Sequence, residues 1–428
     1  MKNIFRGNSE TGRRLVFGSL IILIFLASSV TSYTSDRNNI AATAPVTVVD
    51  LTEASTTDAQ SCLYGGVEIG ASGVKAIAIR VLETDEGYSA TEIFSPRTAN
   101  TNIMEDVARS NKMRADRIDE TAKMVSTFCD QMLALGVPSD QLYVVGSSGL
   151  RGENLRDLSQ KVKEKTNRDM TFLTVDDEVA YAISGTVPKY TRVYVGKGKR
   201  RRVRRFDNRD RSIFIDVGSG NTKGGYQERI SPAGPPEYRF VSFGVPFGTK
   251  TLADKVGKVM PGDLNNFEFG TATRSLYRET FGEPLRLALD AKPGLVNRPR
   301  IYLTGGIVWA LATLIHPDDR RAYVPLTPAD IERFYDDAVQ NPNKLYNPDL
   351  SRLDSQTREK AESDINAIQS TFSTKQLIAG AQILKSLSND LMIAQNRREM
   401  RFVRSGYIAW ILRYVNLKST DAETTSCQ

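Results

Sequence analysis

The 428-residue chain is too long for one ordinary hydrophobic core, and with 40% hydrophobic and 25% charged residues it reads as two soluble, folded domains. Its +7 formal charge is local: residues 192–211 hold 10 basic and 2 acidic side chains, leaving 47 basic and 48 acidic residues elsewhere, so no nucleic-acid-binding surface is expected. One histidine and three cysteines exclude zinc fingers, His-rich metalloproteases and any Ser-His-Asp triad not built on His316, which leaves carboxylates, arginines, hydroxyls or a magnesium-type ion to carry chemistry.

In chain order, Lys2, Arg6, Arg13 and Arg14 precede an apolar run, and no charge follows until Asp36. Residues 1–35 therefore read as a secretory signal peptide or a retained signal anchor. The folded part is then expected outside the cytosol, in the periplasm or at the cell surface. Residues 36–60, rich in Ala, Thr, Ser and Asp, read as a flexible tether. One disulfide, for instance Cys62 to Cys129, suits export, although spacing does not fix the pairing. Strands are predicted over 67–69 and 74–79, joined by Gly70-Ala71-Ser72-Gly73. After a polar stretch, Ile118, Ala122, Val125, Phe128, Met132 and Leu135 recur at helical spacing, and Gly136 ends the helix. A strand over 141–145, a helix, a strand over 171–175 and a helix from Asp176 follow. After the basic segment, a strand over 212–215 ends in Asp216 and turns back through Gly218-Ser219-Gly220-Asn221. A strand over 301–303 then meets Thr304-Gly305-Gly306 and a helix. That helix stops ahead of Pro317, which gives His316 a surface or capping role. Residues 357–417 read as mainly helical. The alternation predicts an α/β fold with mixed sheets, divided into domains over 61–190 and 212–420 with the basic segment, 191–211, inserted between them.

The most informative feature is an internal echo. Val-Glu-Ile-Gly-Ala-Ser-Gly from Val67 and Ile-Asp-Val-Gly-Ser-Gly-Asn from Ile215 both read strand, acid, apolar residue, glycine, small residues, strand. An acid at a strand end followed by glycine and small residues suits a phosphate site. Small side chains let backbone N–H groups reach phosphate oxygens, and the acid can hold a divalent cation or its waters. Two such turns could clamp a phosphate chain from both sides.

On these residues, about 65–415 resemble the exopolyphosphatase and guanosine pentaphosphate phosphohydrolase family, within the actin, heat-shock chaperone and sugar kinase superfamily. The first phosphate turn falls on Glu68, Gly70, Ala71, Ser72 and Gly73. Val-Val-Gly-Ser-Ser-Gly-Leu-Arg resembles the family's second segment and places its hydroxyl at Ser147 and its arginine at Arg151. The stretch from Phe172 to Val187 resembles the Glu-rich helix start, with the catalytic glutamate at Glu178. The second phosphate turn falls on Asp216, Gly218, Ser219, Gly220, Asn221 and Thr222. Glu68 stands for the family's aspartate, and Val179 and Tyr181 stand where it has a glutamate and an arginine.

The resemblance implies two ribonuclease H-like (actin-like ATPase) domains with mixed sheets around an interdomain cleft. It implies a Mg²⁺-dependent hydrolase of phosphoanhydride bonds in polyphosphate or guanosine polyphosphates. Glu178 would activate the water and Arg151 would stabilise transition-state charge. Glu68 and Asp216 would hold Mg²⁺, and Gly70 to Gly73, Ser147, Ser148 and Gly218 to Thr222 would hold phosphate. Two other readings stay open: an extracytoplasmic nucleotidase of the apyrase type, and a catalytically degenerate polyanion-binding protein. As partners, a polyphosphate or nucleotide substrate is expected but no nucleic acid; residues 192–211 leave an anionic membrane surface open, as the fold does a homodimer.

Overall fold

The computed structural model describes residues 61–414 apart from 85–86, 106, 196–201, 232–236, 296, 394 and 412. The expected signal and tether, and Cys427, lie outside the described residues. Among those described, no helix is long and apolar enough to cross a membrane.

The first half runs β1 (Ser61–Ile69), β2 (Gly73–Thr84), β3 (Gly87–Asn100), α1 (Val107–Ser110), α2 (Ala115–Ala134), β4 (Leu142–Gly146), α3 (Leu155–Thr166), β5 (Met170–Phe172) and α4 (Val175–Thr186). A separate two-stranded ribbon follows, β6 (Tyr190–Val195) with β7 (Arg202–Asp207), and it carries the basic segment. The second half begins with β8 (Ser212–Val217), β9 (Thr222–Arg229), β10 (Tyr238–Val245), α5 (Thr249–Val259), α6 (Asn266–Tyr277), α7 (Glu283–Ala291), β11 (Arg300–Thr304) and α8 (Gly306–Ile315). It closes with β12 (Tyr323–Leu326), α9 (Pro328–Gln340), α10 (Pro342–Tyr346), α11 (Ser355–Thr371), α12 (Thr374–Asp390) and β13 (Glu399–Val403).

The two sheets share one plan. The first has strand order β3-β2-β1-β4-β5 and the second β10-β9-β8-β11-β13-β12. In each, the first three strands form an antiparallel meander, and the strand leading into the glycine turn also pairs in parallel with a later one, β1 with β4 and β8 with β11. The central strands are apolar because helices cover them. Ile213, Ile215 and Val217 of β8 lie in a core shared with α5, α8, α9 and α12, while Val67 and Ile69 of β1 pack with Ile118, Ala122 and Val125 of α2. Each such buried aliphatic side chain contributes roughly 1.5–3 kcal/mol.

Two local expectations change. The polar stretch before α2 forms β3, an edge strand whose open side tolerates polar residues. The strand over 171–175 shrinks to β5, because Thr174 caps α4 in a reciprocal capping box with Asp177. The C-terminal region is mainly helical as expected, through α11 and α12, and adds β13 between β11 and β12. His316 lies at the C-cap of α8, 3.2 Å from Asp330.

The division at residue 190 is crossed by side chains. Val179 and Ile183 of α4 pack on Phe214 of β8, and Ile408 and Ile411 pack on Tyr64, Ile77 and Ile79 of the first sheet. The element that ends each half thus lies against the other half's sheet.

The suggested Cys62–Cys129 disulfide is not formed. Cys129 is a buried free thiol inside α2, and burial pushes its pKa up to about 11. Thiolate is the reactive form. In a variant with Cys62 and Cys427 replaced by Ser, Cys129 should resist a disulfide-exchange reagent at pH 8 and react stoichiometrically once denatured. Rapid labelling of the native protein would contradict its burial.

Candidate active site

Both glycine turns are tight and fixed by their own backbones. Gly70 N–H donates to Gly73 O at 2.8 Å, and Gly218 N–H donates to Asn221 O at 3.0 Å. The start of α5 locks the second turn, as Thr249 N–H donates to Gly218 O and Lys250 and Thr251 N–H to Ser219 O. A third turn follows β4, where Ser147 N–H donates to Ile69 O at 2.9 Å and the Ser147 hydroxyl accepts from Gly149 N–H at 3.3 Å.

These three turns meet. A methyl built on Gly220 would lie 2.9 Å from the Ala71 side chain, and one on Gly149 would lie 3.6 Å from both Ala71 and the Asn221 side chain. Among the described residues, the backbone N–H groups of Ala71, Ser72, Ser148, Ser219, Gly220 and Asn221 have no protein acceptor. Unengaged N–H groups gathered in turns of this kind suit an anion.

Side chains close around the junction. Glu178 enters on the first turn of α4, where three consecutive acids divide the work. Asp177 caps the helix, Asp176 accepts from the Ser242 hydroxyl, and Glu178 is buried, 7% exposed. Its Oε2 accepts from the Ser148 hydroxyl and lies 2.6 Å from Lys223 Nζ. Ser148 in turn accepts from Asn221 Nδ2 at 3.2 Å. Arg151 donates from Nη2 to Gly220 O at 3.1 Å, and burial lowers its pKa. No carboxylate among the described residues pairs with Arg151; nearby Glu153 takes Asn111 and Lys112 instead.

Asp216 accepts from the Thr304 hydroxyl at 3.0 Å and faces Lys223 at 3.4 Å. Glu68 accepts from Trp410 Nε1 at 3.2 Å and pairs with Lys75 at 3.6 Å. Glu178 and Asp216 thus converge on Lys223, Arg151 reaches the second turn, and Glu68 lies at the first, its Oε1 3.7 Å from a methyl built on Gly70. Thr222 does not join them: fully buried, it gives its hydroxyl to Phe247 O at 3.0 Å, so its role is to hold the turn. Glu68 and Asp216 do not by themselves complete a metal site. Each faces a lysine, and among the described residues no three acid, His or Cys side chains gather closely enough to hold a metal ion without other ligands.

Lys223 is the residue that sequence reasoning missed. It lies opposite Asp216 in the β8–β9 ladder, as Lys75 lies opposite Glu68 in β1–β2. The echo thus extends to a lysine seven residues after each acid, a spacing visible by counting across each hairpin.

No protein-family model and no curated protein matches the sequence. Solved structures do. An exopolyphosphatase-like protein superposes with a TM-score of 0.58 at 12% identity, over 84% of this chain and 99% of its own. An exopolyphosphatase from Cytophaga hutchinsonii gives 0.54 at 10% identity, over 82% of this chain and 98% of its own. The Ppx/GppA family member from Aquifex aeolicus gives 0.51 at 14% identity, over 85% and 100%. At these identities the likeness is one of fold, and it spans both sheets.

Proposed function

We propose that the chain belongs to the exopolyphosphatase and guanosine pentaphosphate phosphohydrolase family and hydrolyses terminal phosphoanhydride bonds. The observation that carries this reading is the buried Glu178 carboxylate beside a junction of three turns with six unengaged N–H donors. The shared fold with exopolyphosphatase structures supports it.

In this reading the free N–H groups and Arg151 hold the oxygens of the terminal phosphoryl group. A water between that group and Glu178 attacks phosphorus in line with the bridging oxygen. Its proton passes to Glu178 as the P–O bond to the leaving phosphate breaks, releasing orthophosphate and a chain shorter by one unit. Ser148 and Asn221 fix the Glu178 carboxylate, so little reorganisation is needed at the moment of reaction. Magnesium enters this reading only as a companion of the phosphate chain.

The test is phosphate release, with Mg²⁺ present, by residues 58–428 from polyphosphate, guanosine pentaphosphate and tetraphosphate, ATP and ADP. Turnover is expected on polyphosphate or the pentaphosphate. No turnover on any of the five overturns the reading.

The basic ribbon supplies a longer-range element, attracting the distal part of a polyanion. Neutralising Arg200, Arg201, Arg202, Arg204 and Arg205 should raise KM for long polyphosphate by about tenfold or more at low salt while leaving tripolyphosphate within about threefold. An equal effect on both rules this role out, and loss of binding to anionic vesicles instead would assign the ribbon to a membrane surface. We propose export or membrane attachment through residues 1–35, testable by fractionating cells that produce the full chain.

A further inference from the structure

The hairpin geometry that sets Asp216 opposite Lys223 also sets Glu68 opposite Lys75, but the two lysines differ in surroundings. Lys75 is half exposed, an ordinary surface partner. Lys223 is 8% exposed, with Nζ 2.6 Å from Glu178 and 3.4 Å from Asp216. A buried ammonium is costly unless it is paired and hydrogen-bonded. Here Glu178 and Asp216 supply that pairing from two sides. An ammonium carries three N–H donors, and the described residues give this one two carboxylate partners. Glu178 also accepts from the Ser148 hydroxyl, to which Asn221 donates, so the ammonium stands one residue away from the second turn.

We infer that the Lys223 ammonium is the cleft's own cation, occupying the place between Glu178 and Asp216 that a divalent ion would take and contacting a phosphate oxygen of the bound chain directly. The phosphate chain then binds without a metal ion held by the protein. This rests on the phosphoanhydride reading of the same cleft, and it explains why the acids expected to ligate Mg²⁺ are not gathered into a ligand set.

Two measurements on residues 58–428 test it without relying on turnover. The first is Mn²⁺ binding by electron paramagnetic resonance with no phosphate present. The wild type and Lys223→Arg should bind no Mn²⁺ up to about 1 mM. Lys223→Met, with the ammonium gone and the acids left facing one another, should acquire a site. The second is calorimetric binding of the imido analogue of tripolyphosphate in EDTA. The wild type should bind, Lys223→Arg should bind within about threefold, and Lys223→Met should bind about tenfold or more weakly. Should Lys223→Met fail to fold, Glu178→Gln/Lys223→Met removes both members of the closest pair and carries the comparison.

One-to-one Mn²⁺ binding by the free wild-type protein, or analogue binding in EDTA that ignores the loss of Lys223, overturns the inference. The two readings fail separately. Lys223-dependent binding in EDTA without turnover of any substrate would remove the hydrolase and keep the cation. Turnover by a protein that binds Mn²⁺ on its own would do the reverse.

Discussion

Glu178→Gln should lower phosphate release by about 10²–10⁴-fold on whichever substrate the wild type turns over. The substitution preserves the volume of the side chain, which is 7% exposed, and its amide oxygen can still accept from Ser148 and Lys223. It removes only the ability to take a proton from water. Lys223 keeps Asp216 as a partner, so the thermal midpoint should stay within a few degrees and binding of the imido analogue within about threefold. Loss of turnover with binding retained is the pattern of a group acting in the transition state. Full activity in this variant would exclude Glu178 as the base, and loss of fold would assign it a structural role.

The second large effect is on stability. Gly305 links β11 to α8 at φ 103° and ψ 159°, a region essentially confined to glycine and costing any other residue about 1–3 kcal/mol. A methyl there would also collide with the backbone of Val217, the residue after Asp216. Backbone on both sides cannot yield as a flexible side chain would, which adds about 1–3 kcal/mol. Gly305→Ala should therefore destabilise by about 2–6 kcal/mol and lower the thermal midpoint by about 4–12 °C. The neighbouring Thr304 hydroxyl holds Asp216, so activity should fall even well below the melting temperature. A melting curve unchanged within 2 °C or so would show that the turn relaxes at little cost.

What was legible in the sequence was what depends on short-range pattern. The apolar spacing of α2, the glycine turns after Glu68 and Asp216, and the acid-rich start of α4 all declare themselves within about twenty residues. The sequence could not say which of the three α4 acids caps the helix, because that depends on where β5 stops. Once Thr174 takes the cap with Asp177, Glu178 falls one position further round and turns inward. Thr222 looked like a phosphate ligand from its place in the turn, but its hydroxyl is drawn to Phe247 O by the return of β10, which no local pattern announces. Lys223 went unnoticed because a lysine in a strand ordinarily reads as solvent-facing, and only its convergence with α4 buries it. The free Cys129 likewise follows from the packing of α2 on the first sheet.

The exchanged packing at the ends of the two halves bears on how this molecule can be dissected. The repeated turns and repeated sheet order suggest a cut in the basic ribbon as the place to separate the halves. Such a cut would strip Phe214 of Val179 and Ile183, and would leave Tyr64, Ile77 and Ile79 without Ile408 and Ile411. Each fragment would carry a helix made for the other and lack the one made for itself. The repeat is thus no seam: the halves are stitched into one another and should regain structure only when both are present.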